Sequence, residues 1–161
     1  MAATPITPAS RFFRPGITKC YWVPSIANIS APTRSELNAG TDLSKDVADI
    51  AGWMVTGQAI PTPDLNSRFV GNIPGLTNAD ESSITYYESE DGVDARSLMP
   101  RDEDGNVVWL DGGDVAGRFM DVFPTRVLSV GKSRSMGAEP ARFTTQYAIT
   151  DEPAENVVIP A

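Results

Sequence analysis

Apolar and polar positions alternate along several short runs of this chain. In "DIAGWMVTGQAIPTPDL", residues 49–65, Trp53, Val55 and Ala59 fall on one parity and Thr56 and Gln58 on the other. That period of two predicts a strand with one wet face, and Pro61 and Pro63 limit how far it can pair as a central strand. The same pattern places Phe143, Tyr147 and Ile149 on one face of a strand over 142–150, with Arg142, Thr144 and Gln146 on the other. Strands are also predicted over 18–23, 82–89 and 119–131. The strand over 106–110 has apolar residues on both parities, as a strand covered on both sides does. Turns are expected at Asp104-Gly105 and at 112–113.

Helical signals are few. Thr33 followed by Glu36 forms a capping box, and Gly40 can stop a helical turn over about 33–39. A flanking helix is expected over about 91–99, started by Asp91 or Gly92 and ended by Pro100. Residues 64–81, "DLNSRFVGNIPGLTNADE", are polar and broken by Gly and Pro, and read as a long loop or hairpin tip. The ends, 1–16 and 151–161, read as extended, proline-marked arms. The expected fold is mainly β, a sandwich or barrel over 17–150 within a single domain spanning 1–161.

Composition supports this class. Glycine and proline number 13 each among 161 residues, more than their usual joint share of roughly 12%. The net charge of −8 is uneven. Residues 1–87 hold seven acids and six basic residues, whereas 88–161 hold fourteen and seven. A surface of that sign repels duplex DNA rather than wrapping it. No apolar run reaches membrane length, and "MAATPITPAS" lacks a basic-then-apolar export pattern, so a soluble chain made in a cytoplasm is expected.

Catalytic chemistry finds little support. Without histidine there is no His-based triad or HExxH zinc site, and the lone Cys20 reads as a small core residue. "GKS" at 131–133 resembles the end of a phosphate loop, but the first glycine of that motif would fall on Arg126. Asp102, Glu103 and Asp104 stand close together, and calcium binding over 102–114 stays open as an alternative, although Pro100 would fill the first ligand position of a calcium loop. No cofactor is expected. Phe12 and Phe13, between Arg11 and Arg14, are apolar anchors on an arm that cannot bury them alone, which points to docking on another subunit or on its own domain.

The ordered set "RFFRPGITKCYWVP", "APTRSELNAGTDLS", "DIAGWMVTG", "PDLNSRFVGNIPG", "SSITYYESEDGVDARSLMP", "GNVVWLDGGD" and "ARFTTQYAITDEPAENVVIPA" resembles the major tail tube proteins of long-tailed, non-contractile (siphovirus-type) bacteriophages, most of all those of phages infecting actinobacteria. The resemblance spans nearly the whole chain and lies in the order of segments; no single motif is diagnostic. It implies a non-enzymatic virion protein, assembled in the host cytoplasm, whose six-fold rings stack into a tube that conducts genomic DNA. Implied partners are further copies of the chain, a tape-measure protein, a tail terminator and distal tail or baseplate proteins, with no membrane.

Within that resemblance, Thr56, Gln58, Thr144 and Gln146 are expected to face the lumen, and Trp53, Val55, Phe143 and Tyr147 the subunit core. Asp64, Asp80 and Glu81 would make the lumen or its rim acidic, while Arg142 departs from a purely acidic wall. Phe12, Phe13, Arg14, Phe69, Ile73, Val157 and Ile159 are the candidates for contacts between subunits or rings. Two alternatives remain: another virion or surface β-domain, such as a decoration or adhesin module, and an acidic calcium-dependent binding domain.

Overall fold

The strands are organised around one long strand. The computed structural model describes residues 3–161. In chain order the elements are β1 (Lys19–Val23), α1 (Arg34–Asn38), β2 (Thr41–Asp42), β3 (Val47–Ala51), β4 (Val55–Thr62), β5 (Gly71–Ala79), β6 (Ser82–Tyr87), α2 (Ala95–Leu98), β7 (Asp104–Leu110), β8 (Phe119–Ser133), β9 (Arg142–Ile149) and β10 (Ala154–Val158). An eight-stranded antiparallel sheet runs β2-β1-β7-β8-β9-β6-β3, with β10 also paired to β8; β4 and β5 form a separate two-stranded ribbon. The mainly β class is the one expected.

Strand β8 belongs to two halves of this sheet. Its residues Asp121–Arg126 pair with β7, its first residues with β10, and Thr125–Ser133 with β9. A register shift between Val127 and Ser129 marks a bulge, which bends a strand. The halves face each other across aromatic side chains. Trp22, Val107, Trp109 and Phe123 from one side share a buried cluster with Ile84, Tyr86, Phe143 and Tyr147 from the other. The Tyr86 and Tyr147 hydroxyls bond each other at 2.8 Å, and that of Tyr147 also donates to Met99 Sδ at 3.1 Å. Burial raises both phenols, so they stay neutral.

A second cluster covers the opposite face of β1, β7 and β8. Val23, Val108, Leu110, Met120 and Val122 are sealed there by Leu37 of α1 and by Val157 and Ile159. β7 is therefore buried on both faces, as its pattern predicts. The C-terminal segment is not a free arm. Its apolar positions complete this cluster, and its backbone pairs along β8.

Other expectations change in detail. The capping box is present: Thr33 Oγ1 accepts from the Glu36 amide at 3.3 Å, and Glu36 Oε2 accepts from the Thr33 amide at 2.7 Å. The second helix is a single turn. It starts at Ala95 because Asp94, not Asp91 or Gly92, caps it by accepting from the Arg96 amide at 3.0 Å. Asp104-Gly105 lies within β7 rather than in a turn. The reversal falls just before it, at Pro100–Glu103, and Gly105 is needed because a Cβ there would run into the indole of Trp22.

The run 49–65 is two strands, not one. Gly52 and Trp53 both take left-handed backbone, with φ of 84° and 64°. That conformation costs Trp53 on the order of 1–2 kcal/mol. Packing offsets the cost: the indole lies 5.3 Å from the Phe123 and Tyr147 rings and 5.6 Å from Trp109. Its amide donates to Ser82 Oγ at 2.9 Å. The kink ends β3 and sends β4 out of the core, so Trp53 reaches the core from a bend and Val55 is only half-buried.

Candidate functional site: assembly surfaces

The β4–β5 ribbon stands apart from the main sheet and from both core clusters. The expected loop 64–81 is instead a turn followed by β5, which pairs with β4 from Thr62↔Gly71 to Val55↔Ala79. The sequence hides β5 because neither face of the ribbon is buried in the subunit, so no period-two pattern is imposed on it. Beyond its base, which lies beside the turn at 149–153, the ribbon adds no residue to either core cluster. An isolated two-stranded hairpin is marginal in water. This one also exposes Ile60, Leu65, Phe69, Val70, Ile73 and Leu76. Its only charged residues, Asp64 and Arg68, are in the turn, so neither strand carries the charge that commonly guards a free edge.

Register decides which residues share a face. Thr56, Gln58, Ile60 and Thr62 alternate with Val55, Gly57, Ala59 and Pro61, and Ile60 sits opposite Ile73. A bulge places Gly75 and Leu76 opposite Gln58. Thr56 Oγ1 donates to the Asn78 carbonyl at 3.2 Å, and on this face Thr56, Gln58 and Thr62 stand beside Ile60 with no charged side chain.

Thr144 and Gln146 lie elsewhere, on the outward face of β9. Their neighbours are hydroxyls: Thr144 Oγ1 bonds Thr85 Oγ1 at 2.9 Å, and Ser129 Oγ donates to Gln146 Oε1 at 2.7 Å. Ser83 pairs with Gln146 across β6–β9, extending the row. Arg142 ends this face, its guanidinium 5.5 Å from the Tyr87 ring centre. The four predicted polar residues thus occupy two surfaces, one on the ribbon and one on the sheet. Ser129, Thr85 and Ser83 escape sequence reading because only strand pairing sets them beside Thr144 and Gln146. The three acids are also divided. Asp64 caps the ribbon turn, accepting from the Asn66 amide at 2.8 Å, whereas Asp80 and Glu81 lie at the base between β5 and β6.

The apolar anchors separate in the same way. Phe12 and Phe13 are 54% and 73% exposed, and Phe69 and Ile73 are 79% and 51% exposed. Arg14 pairs with Asp111 and roots the arm on the domain. Val157 and Ile159, predicted as contacts between subunits or rings, are instead core residues at 8% and 1% exposure, because the tail closes the second cluster of its own subunit.

The acidic half offers no assembled chemistry. Among the described residues, no three His, Cys, Asp or Glu side chains come together as a metal-holding group. Asp104 is held by Arg126 through bonds of 2.7 and 2.6 Å. "GKS" lies at the end of β8 with no helix after it, so it is not a phosphate loop. No helix among the described residues is long and apolar enough to cross a membrane.

Asp114 ties α1 and β1 to the segment after β7. It takes bonds of 2.5 and 2.8 Å from Arg34 and 2.9 Å from Tyr21. The Arg34 bonds, more than any other cause, hold its carboxyl below the usual range, and burial with this acceptor pushes Tyr21 up to about 12. A depressed folded pKa gives stability that is present above the unfolded value of about 3.9 and lost as pH falls through the folded one. Asp114→Asn is expected to be less stable than the parent at pH 7 and to converge with it as the pH falls through the depressed folded pKa. Urea midpoints across pH 2–7 check this.

Comparison with known proteins gives a consistent result. The profile of a family described as phage tail tube protein matches residues 4–161. A chain of the anti-feeding prophage baseplate, from a six-fold symmetrised cryo-EM structure, is similar with a TM-score of 0.57 at 11% identity, covering 91% of this chain and 94% of that one. A chain of the anti-feeding prophage tube-terminating cap gives a TM-score of 0.57 at 12% identity, covering 91% and 93%. These likenesses establish the fold. No curated protein sequence matches the chain.

Proposed function

The chain belongs to the phage tail tube protein family, and from that premise we propose that it forms six-fold rings which stack into the tail tube of a siphovirus-type phage and conduct its DNA. It is a structural component of the virion, not an enzyme. The observation that carries the proposal is the β4–β5 ribbon: two free edges, uncharged strands and exposed apolar side chains, all outside the subunit core. Neighbouring copies that pair along those edges satisfy the open backbone groups and bury the apolar ones. A head-to-tail contact of this kind closes into a ring when its rotation permits. That a chain of the same fold is found in a six-fold symmetrised assembly supports this geometry.

In this reading Thr56, Gln58, Thr144 and Gln146 face the lumen, and Asp64, Asp80 and Glu81 lie near its ends. Hydroxyls and amides offer no fixed cation to a phosphate backbone, and Arg142 at the end of the β9 face lies over the Tyr87 ring, so a passing duplex is not gripped. The tape-measure protein, tail terminator and baseplate are the partners this assembly requires.

Electron microscopy of the purified protein at rising concentration tests the proposal. Rings or tubes with a central hole are expected, and a compact monomer persisting at high concentration overturns it. Gln58→Lys tests the facing: assembled virions should eject DNA more slowly, and unchanged ejection kinetics would place Gln58 away from the lumen.

A further inference from the structure

A cleft opens where the rolled sheet is left unclosed, between β1 and the free edge of β3. It has two compartments of about 410 and 340 Å³ that share Arg14, Ile50 and Trp109. The second compartment is walled by Trp53, Met54, Trp109 and Phe123. Its open apolar surface is that of Ile50, Trp53 and Met54, with the buried Trp109 and Phe123 behind them, and the charges along the cleft are Arg14, paired with Asp111, and Asp49 and Asp121, which have no cationic partner among the described residues. The ribbon turn has the complementary set. Leu65 and Phe69 are exposed, flanked by Asp64 and Arg68, neither of which is in an ion pair among the described residues.

A subunit cannot fill its own cleft this way. Gly52 and Met54 line the cleft, and β4 leaves directly from them. Eight residues of strand carry the turn roughly 26 Å away. Bringing it back requires unpairing β4 from β5.

We propose that the turn at 64–70 of one copy enters this cleft on the next, with Phe69 and Leu65 against Ile50, Trp53 and Met54, Arg68 toward Asp49 and Asp121, and Asp64 toward Arg14. Each copy then gives its turn to one neighbour and receives another beside the base of its own ribbon, a heterologous contact that propagates in one direction. The inference rests on the self-assembly proposed above.

Paired cysteines test it. In a Cys20→Ala background, Phe69→Cys is combined with Met54→Cys on the exposed cleft rim, and assembled particles are oxidised. A disulfide needs Cα atoms within about 7 Å, which the length of the ribbon forbids inside one subunit. A ladder of dimers and higher multimers on a non-reducing gel is expected, with more than half the chains linked and neither single variant giving it. Particles that assemble without this link overturn the docking while leaving the tube reading intact. A link from Phe13→Cys to Met54→Cys instead assigns the cleft to the N-terminal arm and equally overturns it. If the parent chain never assembles, the tube reading fails and this inference with it. Circular dichroism confirms that each variant is folded, and Phe69→Ser should raise the concentration needed for assembly at least tenfold without shifting the monomer's melting.

Discussion

Replacing residues 56–78 by Asn-Gly is expected to abolish assembly and leave the subunit folded. Val55 and Ala79 face each other as ladder partners, so a two-residue hairpin turn can join them without moving either. The excised segment contributes nothing to the two core clusters. Its loss also removes the exposed apolar surface of Leu65, Phe69, Ile73 and Leu76. The shortened protein should melt within a few degrees of the parent and be more soluble, yet form no ring or tube at any concentration. Calorimetry and electron microscopy on the same sample check both halves. A large fall in melting temperature would show that the ribbon supports the core, and rings from the shortened chain would show that assembly does not need it.

The second large effect is expected inside the core. Tyr147 is fully buried where the two halves of the sheet meet, with its ring 5.3 Å from that of Trp53 and 6.2 Å from that of Trp22. Tyr147→Ala leaves a cavity, which costs about 3–5 kcal/mol for a large aromatic side chain. It also strands the buried hydroxyl of Tyr86, for a further ~1–3 kcal/mol. Against a total stability of about 5–15 kcal/mol, a substantial fraction of the chains should be unfolded at growth temperature. Tyr147→Phe keeps the ring and should show only the hydroxyl part. Urea titration of both variants separates the contributions, provided the slope with denaturant is unchanged.

How far the fold was legible follows burial. Strands β6 and β9 were readable because each has one face in the core, which forces a period of two on its side chains, whereas β1 and β8 send apolar residues into both clusters. β7 was readable as doubly covered because both parities are apolar. The capping box of α1 was local chemistry and needed no tertiary information. β5 and β10 were not readable, for different reasons. β5 has no buried face within the subunit. β10 is short, and its apolar residues look like those of a sticky tail until they are seen completing a cluster with Val108 and Met120.

The candidate assembly surfaces divide in the same manner. Phe12, Phe13, Phe69 and Ile73 are exposed, as apolar groups without a local reason for burial should be. Val157 and Ile159 carried the same signal and proved to be core. Thr56 and Gln58 alternate with apolar neighbours, as do Thr144 and Gln146, but alternation says only that a face is wet. It does not say which wet faces are continuous.

By itself, the sequence determined the β class, the positions of most core strands, the absence of a histidine-based site and the uncharged character of the run after Trp53. These depend on residue type and on spacing along one chain. Only the tertiary structure decided that the run breaks at Gly52 and Trp53, that β4 finds its partner in β5 outside the core, that the tail belongs to the subunit, and that the sheet stays open beside β3. Each of those outcomes depends on contacts between residues far apart in the chain. The free energy of such contacts is set by what the fold brings opposite them, which no local pattern encodes.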